Sequence, residues 1–536
     1  MSQQSMLSDV EQEKLVFSAE AAALRTLVET LRAKALLGTK SLKLSHVTCF
    51  DDDQELQATR KKLSDTRRSL DVLEQRIATH NRLSSVVGRI PVEVLCYIFF
   101  LTLGSNRPFF INRQAFSAPW GVTHVCRAWR RGARGDPHLW SYIDINTNDY
   151  PETRIPISKR LPLAALQAQI QLSSHMTLYI EIFVGDPVND RVHWIALLEA
   201  LIPHSDRWAS LQLQWDSKPD IFHVIKRAEG HLSNLKLLRL DSLGAWDSVT
   251  WPRELMDMFV HTPCLRTVLL TDRELDKLSP PLAFGLGWPS LTHLRISSAS
   301  AFILGILRNA PNLVECGLDE TSAGTLPVLS SGAPSIIHLP RLRRLVCYGE
   351  YFFRHVHFPA LQCLEIGFVG DITRVPESLE RSQCQPRTLR FGMRYFGSAP
   401  ILAVLRQAVG ISRVEFDFTW HEDLRDRDTT TMTHVLRALN NSASPTLCPK
   451  LTTFQITLPE LETDVPVEIQ EELCNMVESR WNLSIEERTL KSVGLSPMRL
   501  SPSIRARFDS LECGGLDLNE AILPNFDDEF EVIKNF

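Results

Sequence analysis

Hydrophobic residues recur at helical spacing in the first part of the chain. In residues 9–37 they lie three or four positions apart among good helix formers, which predicts an amphipathic helix. Leu56, Leu63, Leu70 and Ile77 then follow at intervals of seven, which is typical of a coiled coil or a helical hairpin. Self-association through residues 56–77 and a hairpin within one chain both agree with this spacing.

Residues 89–145 are apolar on more sides than one buried face requires. Pro91 falls in the first turn of a predicted helix, where proline is tolerated because the N–H groups of that turn lack intrahelical partners. The sequence VLCYIFFL follows from Val94 to Leu101, so hydrophobic side chains surround this helix. A second amphipathic element begins at Val125. We therefore expect part of this segment to contact a partner.

After Trp140 the pattern changes to the period of a strand. Residues 142–146 alternate between apolar and polar, and residues 178–182 do so again. From residue 208 a unit L-x-x-L-x-L recurs, mostly at or near the spacing of about 20 to 29 residues that is typical of leucine-rich repeats. Its apolar positions are Trp208/Leu211/Leu213, Leu235/Leu238/Leu240, Leu265/Val268/Leu270, Leu291/Leu294/Ile296, Leu313/Cys316/Leu318, Leu342/Leu345/Cys347, Leu361/Leu364/Ile366, Ile411/Val414/Phe416 and Leu451/Phe454/Ile456, with a weaker unit at Pro386/Leu389/Phe391.

Stacking explains why such units recur. One short strand cannot bury its apolar edge alone, so neighbouring units stack and their leucine positions form a continuous core. The unequal intervals and the missing repeat asparagine indicate an irregular array. We therefore predict an α/β fold, in which N-terminal helices and a helical segment precede an irregular solenoid similar to leucine-rich repeats.

Composition argues against several classes of protein. A net charge of −5 and a pI of about 6.4 do not favour attraction of the whole chain to nucleic acid or anionic membranes. The longest apolar run, residues 94–103, is shorter than the roughly 20 residues of a membrane span. Eleven cysteines without a C-x-x-C pair fit reduced thiols. We expect an intracellular protein, in the cytoplasm, the nucleus or both.

No residue pattern indicates catalysis, a cofactor or a metal ion. Residues 284–287 read FGLG and lack the third glycine of a dinucleotide loop. His355 and His357 would share one face of a strand, without an identifiable third metal ligand. Residues 204–206 read His-Ser-Asp, and contiguous side chains rarely converge as a catalytic triad must. The sequence therefore predicts a protein that is not an enzyme.

Short motifs in residues 89–145 resemble the F-box. Residues 90–95 read IPVEVL, close to the Leu-Pro-x-Glu-Ile/Val-Leu start of that family, and residues 98–99 supply its Ile-Phe pair. Residues 125–129 match its Val-Cys-Arg-x-Trp helix, and residues 136–140 match its Asp-Pro-x-Leu-Trp end. The motifs occur in the same order as in the family.

Two departures accompany this resemblance. Ile90 stands where leucine is usual, and the interval 104–123 is longer than in the best-known members, as in the F-box variant abundant in mushroom-forming fungi. The resemblance implies docking on a Skp-family adaptor, which a cullin scaffold carries together with a RING protein. The residues that it assigns to adaptor binding are Pro91, Leu95, Ile98, Phe99, Val125, Cys126, Trp129, Leu139 and Trp140.

Recognition of a target protein would fall to the repeats. Side chains between the core positions of each unit face the other side of the sheet. The target-binding residues predicted there are Arg239, His293, Arg295, Arg344, Tyr348, Glu365 and Glu415. The leading hypothesis is a substrate-recognition subunit of an SCF-type cullin-RING ubiquitin ligase. The alternatives are a non-catalytic scaffold whose F-box acts outside ubiquitin transfer and a hydrolase within the repeats, against which the lack of a nucleophile motif argues.

These patterns divide the chain into four regions. They are an N-terminal helical or coiled-coil region (1–82), an F-box-like segment (83–145), a repeat region that binds the target (146–490) and a C-terminal tail (491–536). Ser496 and Ser501 each precede a proline, as in sites of proline-directed kinases, and a plain flexible tail is the alternative interpretation.

Overall fold

Close contacts between Cα atoms define two compact units. The first contains residues 1–104 and 116–136, and the second contains residues 105–115 and 137–536. The computed structural model describes residues 3–44, 50–84, 90–102, 119–146, 163–184, 191–215, 222–242, 257–271, 287–298, 300–320, 336–349, 352–367, 372–392, 397–418, 426–442, 447–457, 465–484, 486–496 and 499–519.

The first unit begins with a helical hairpin. Helix α1 (Gln3–Leu44) packs against helix α2 (Phe50–Ser84) in the antiparallel sense. The direction follows from two cross-helix ion pairs, Arg25 with Glu74 at 2.8 Å and Lys34 with Glu55 at 3.0 Å. Side chains buried in the hairpin are Ala21, Val28, Leu31, Leu56, Thr66 and Leu73.

The leucines spaced by seven in α2 lie within this hairpin. Leu56 is buried, and Leu63 and Leu70 are half-buried. The hairpin within one chain, one of the two interpretations of the spacing, is therefore present. Self-association through residues 56–77 stays a prediction.

Three shorter helices complete the first unit: α3 (Val92–Thr102), α4 (Trp120–Val125) and α5 (Arg127–Gly135). Cys126 separates α4 from α5 because its backbone is extended, with φ −157° and ψ 171°. Its sulfur accepts a hydrogen bond from the Trp129 backbone N–H at 3.5 Å and so caps α5. The amphipathic element predicted from Val125 is thus divided at its second residue.

The second unit contains a large parallel sheet. Its fourteen strands, among the described residues, lie side by side in chain order. They are β1 (Tyr142–Asn146), β2 (Leu178–Val184), β3 (Trp208–Trp215), β4 (Leu237–Ser242), β5 (Thr267–Thr271), β6 (His293–Ser298), β7 (Glu315–Glu320), β9 (Arg344–Tyr348), β11 (Cys363–Ile366), β12 (Thr388–Gly392), β13 (Arg413–Asp417), β14 (Thr453–Thr457), β15 (Ser492–Ser496) and β16 (Asp517–Asn519). Strands β8 (Ile337–His338) and β10 (Val356–His357) pair with each other as a separate parallel ladder.

Helices connect many of these strands, as parallel pairing requires. They are α6 (Leu163–Leu172), α7 (Arg191–Leu201), α8 (Phe222–Ile225), α9 (Ser300–Asn309), α10 (Phe352–His355), α11 (Arg374–Ser382), α12 (Ser398–Gln407), α13 (Asp426–Leu439), α14 (Val467–Trp481) and α15 (Pro502–Cys513). The mixed α/β class with a large parallel sheet agrees with the prediction. None of the described helices is both long and apolar enough to cross a membrane.

The main hydrophobic core lies between these helices and one face of the sheet. Leu211, Leu238, Val268 and Leu294 are partners in the strand register, and each is fully buried. They occupy the same position of the recurring L-x-x-L-x-L unit. The repeated leucine positions therefore form one continuous apolar row across neighbouring strands.

The predicted boundary of a C-terminal tail at residue 491 is wrong. Strands β15 and β16 and helix α15 continue the sheet through residue 519. Ile504, Phe508 and Leu511 lie four and three positions apart and are buried, so the amphipathic pattern of α15 was overlooked. The acidic end of the predicted tail lies outside the described residues.

The predicted end of the F-box-like segment at residue 145 is also wrong. Strand β1 pairs with β2 and is the first strand of the sheet, and residues from 137 onward already belong to the second unit. Most of the long interval 104–123 lies outside the described residues. The change from helical to strand period at Trp140, where the Asp-Pro-x-Leu-Trp motif also ends, lies closer to this boundary than residue 145 does.

Candidate functional site

Helix α3 packs on α5 through one of its faces. Leu95 and Phe99 are buried, and the Phe99 ring lies against Trp129 with centroids 4.9 Å apart. The Cys96 thiol donates to the Gly132 carbonyl oxygen at 3.6 Å. A methyl group at Gly132 would lie 3.3 Å from a Val92 methyl carbon, so glycine permits this close approach.

The opposite face of α3 exposes a continuous apolar stripe. Val94, Tyr97, Ile98 and Leu101 are 48%, 61%, 38% and 58% exposed. Their spacing of three, four and seven positions places them on one side of the helix. We call these four residues the outer stripe.

The residues predicted to bind an adaptor fall into three groups. Pro91, Ile98, Val125 and Cys126 are exposed. Leu95 and Phe99 are buried, and Trp129 is half-buried. Leu139 and Trp140 are buried in the second unit, within a 3-10 turn over Pro137–Trp140.

Sequence reasoning missed most of the outer stripe. Val94, Tyr97 and Leu101 were not among the predicted adaptor-binding residues, although all three are more exposed than Ile98, which was. The spacing of residues 94, 97, 98 and 101 could have placed them on one side of the helix. Because both faces of α3 are apolar, the sequence did not show which face is exposed.

The second candidate surface is the face of the sheet opposite the main core, which we call the polar face. Each strand presents up to three side chains there, and the strand register aligns them in rows. On β6 the leading, middle and trailing rows contain His293, Arg295 and Ser297. All seven predicted target-binding residues lie in these rows, but their role in binding stays a prediction.

A buried ionic cluster occupies the polar face at β11 to β13. The Arg390 guanidinium lies 2.5 Å from Asp417, 3.3 Å from Glu415 and 3.6 Å from Glu365. These four side chains are all at least nine-tenths buried. We call them the Arg390 cluster.

Burial and charge act in opposite directions within this cluster. Burial lowers the pKa of Arg390, but the carboxylates of Glu365, Glu415 and Asp417 raise it by more, so Arg390 stays a cation. Burial raises the pKa of Glu415 to about 7; Arg390 opposes this rise, and Asp417 and Glu365 add to it. Arg390 is thus the cation in ion-pair contact with all three carboxyl groups, while Arg413 acts on Glu415 and Arg295 on Glu365 from farther away.

Sequence reasoning did not select Arg390, although it occupies the same position as other predicted target-binding residues. It lies between Leu389 and Phe391, the apolar positions of the weaker repeat unit. The rule that placed Glu365 and Glu415 on the polar face also places Arg390 there. The weakness of that unit concealed the residue that joins the two acids.

Tyr348 extends the Arg390 cluster along the trailing row. Its hydroxyl donates to Glu365 Oε1 at 3.1 Å. A side chain at Gly367 would overlap the Tyr348 ring, so the ring occupies the space that glycine leaves open. Burial raises the pKa of the Tyr348 phenol, and Glu365 raises it further, so Tyr348 remains a neutral donor.

The remaining predicted target-binding residues are half-buried. Arg239 donates to Asp241 at 2.6 Å. Burial lowers the pKa values of His293 and Arg295, although the Glu315 carboxylate raises that of His293. Arg344 lies beside Glu315 in the leading row. This row is the more accessible part of the polar face in this region, while Glu365 and Glu415 of the middle row are buried.

The described residues contain no group of three His, Cys, Asp or Glu side chains that could hold a metal ion. His355 ends helix α10 and His357 belongs to strand β10, so the expectation that they share one face of a strand is wrong. Burial raises the pKa of the Cys363 thiol to about 11 and that of Cys448 to about 12. These two thiols are therefore protonated and poor nucleophiles at neutral pH.

Comparisons with known proteins do not assign the chain to a family. No protein-family model matches it, and a search of curated proteins gives no match. The functional proposal therefore depends on the sequence motifs and on the geometry of the two candidate surfaces.

Proposed function

We propose that the chain is a substrate-recognition subunit of an SCF-type cullin-RING ubiquitin ligase. The observation that carries this proposal is the outer stripe, since exposed apolar residues in a helix with F-box-like motifs suit a docking surface. A Skp-family adaptor would bury Tyr97, Ile98 and Leu101. Buried Leu95 and Phe99 would support the docking helix from below.

The proposed platform for the target is a solenoid similar to leucine-rich repeats. Two observations support this finer description of the sheet. The strands follow one another in chain order, and the L-x-x-L-x-L positions align in register as buried rows. The leading row, which includes His293 and Arg344, offers the target half-buried polar groups.

The chain would act by raising the effective concentration of the target near the conjugating enzyme. A target held on the sheet and a conjugating enzyme held through the adaptor, cullin and RING proteins belong to one assembly, so transfer of ubiquitin to a target lysine becomes intramolecular. The chain itself supplies no catalytic residue in this proposal. Such a role places the protein in the cytoplasm, the nucleus or both.

Reconstitution of the assembly tests the proposal. The full chain is purified with a Skp-family adaptor and mixed with cullin and RING subunits, and the complex is analysed by size-exclusion chromatography. We expect one complex that contains all four proteins, and accumulation of at least one protein in cells that lack the chain. An adaptor complex that excludes cullin would favour the scaffold alternative, and failure to bind the adaptor would contradict both.

A further inference from the structure

Glu415 is a carboxyl group buried on the polar face of the sheet. It is 2% exposed, and its Oε1 lies 3.3 Å from Arg390 Nε in an ion pair that lacks hydrogen-bond geometry. Neighbouring donors are directed elsewhere, since Arg390 Nη2 donates to Asp417 and Gln455 Nε2 donates to Thr457. Within the described part of the chain, no side chain donates a hydrogen bond to Glu415.

The charges around Glu415 do not compensate three ionised carboxylates. Strand β11 contributes Glu365 and β12 contributes Arg390, while β13 itself carries Asp417 and, in the leading row, Arg413. Strand β14 presents Thr453, Gln455 and Thr457, which are uncharged. Arg413 is half-exposed, so solvent screens its charge more than that of buried Arg390. Burial of a third ionised carboxylate is therefore unfavourable, which favours the protonated form of Glu415.

We propose that Glu415 carries a proton in the folded chain at mildly acidic pH, and that the Arg390 cluster is thereby a proton-binding site that makes the stability of the sheet depend on pH. The proton, taken from solvent, removes one of three negative charges. It also converts Glu415 into an O–H donor beside two carboxylate acceptors. The site lies in the second unit and does not depend on the proposed docking of α3.

The direction of the pH effect follows from linkage. The pKa of Glu415 is about 7 in the folded chain, against an ordinary value of 4.5. Below pH 4.5 both the folded and the unfolded chain bind the proton, so the contribution to stability is fully present. Between pH 4.5 and 7 only the folded chain binds it, and the contribution is lost as pH rises. Above about pH 8 no further loss is expected.

Unfolding of the full chain by denaturant, measured from pH 5 to pH 8, tests the proposal. The variant Glu415→Gln replaces the protonated acid with a neutral group of similar shape. Glu512→Gln is the control, because Glu512 is an exposed acid of α15 in the same unit. Relative to Glu415→Gln, the unfolding equilibrium constant of the unmodified chain should rise by up to about tenfold per pH unit between pH 5 and 7. Glu512→Gln should not alter the pH profile.

A difference between the unmodified chain and Glu415→Gln that stays constant from pH 5 to 8 would overturn the proposal, because Glu415 would then be ionised throughout. If Glu415→Gln does not fold, infrared titration of the unmodified chain replaces it. A protonated carboxyl C=O band that persists at pH 6 and disappears above pH 8 supports the site. Its absence at pH 6 contradicts the site.

Discussion

The rings of Phe99 in α3 and Trp129 in α5 lie in tilted contact, with an interplanar angle of 59° and centroids 4.9 Å apart, and this contact fixes which face of α3 is outward. Phe99→Ala should destabilise the first unit by about 3–5 kcal/mol, because it removes a fully buried ring. Thermal unfolding measures the change. Tyr97→Ala, in the exposed part of the same helix, is the control and should change stability by about 0.5 kcal/mol or less. Equal losses for the two variants would contradict the assigned faces.

Removal of the Arg390 guanidinium should destabilise the folded chain, because it leaves Glu365, Glu415 and Asp417 buried without their shared cation. Arg390→Ala is expected to lose about 3–5 kcal/mol of stability at pH 8. The loss should be smaller at pH 5, where Glu415 is protonated and one carboxylate fewer is left without the cation. Chemical denaturation at both pH values measures it, with half-exposed Arg413→Ala as the control. A loss for Arg390→Ala that is the same at both pH values would argue against an electrostatic origin.

Gly367 should tolerate no side chain while Tyr348 keeps its position. Gly367→Ala is expected to lower the free energy of unfolding, measured by chemical denaturation, by about 1–3 kcal/mol, because the new methyl group overlaps the Tyr348 ring. The same change in a Tyr348→Ala background should cost much less. Gly397→Ala is the control, since its nearest neighbour, Pro400, lies at an ordinary 3.8 Å. Additive effects of the two substitutions in a double-mutant cycle would mean that the ring does not occupy this space.

Arg480 joins the end of α13 to the loop that follows it. Its guanidinium donates to the carbonyl oxygens of Leu439 at 2.8 Å, Leu447 at 2.6 Å and Cys448 at 3.0 Å. Arg480→Met should lose about 3 kcal/mol or more, because it leaves buried carbonyl groups without donors. The exposed variant Arg505→Met breaks only a surface ion pair with Asp509 and should lose about 1 kcal/mol or less. Similar denaturant midpoints for the two variants would contradict this role of Arg480.

The strands of the sheet could be predicted because each repeat unit contains the L-x-x-L-x-L pattern within its own sequence. The positions Leu211, Leu238 and Leu294 are buried in one row, as the L-x-x-L-x-L spacing requires. The same alternation placed Glu365 and Glu415 on the opposite face. Periodicity failed at the C-terminus, where Phe508 and its neighbours belong to a helix that the polar composition concealed.

The Arg390 cluster was missed although its pattern is in the sequence. Glu365, Arg390 and Glu415 stand 25 residues apart in the same position of three successive repeat units, but the unit around Arg390 is weak and was not used, and the observed register shows that the three residues are neighbours. The exposed face of α3 was hidden for a different reason. Tyr97 and Phe99 are both largely apolar, and their burial is decided by α5, which lies beyond the long interval 104–123 in the sequence.

The most direct test of the proposed adaptor docking is the affinity of the full chain for a Skp-family adaptor, measured by isothermal titration calorimetry. The double variant Tyr97→Asp and Leu101→Asp places two charges in the outer stripe. Val16→Asp places a charge on an exposed apolar position of α1 and is the matched control. Retained thermal stability shows that each variant is folded.

We expect the unmodified chain and Val16→Asp to bind the adaptor with equal affinity, and the double variant to bind at least about 100-fold more weakly, since central apolar contacts contribute about 2 kcal/mol or more each. Unchanged affinity of the double variant, or no binding by the unmodified chain, would contradict the assignment of the outer stripe as an adaptor-docking surface.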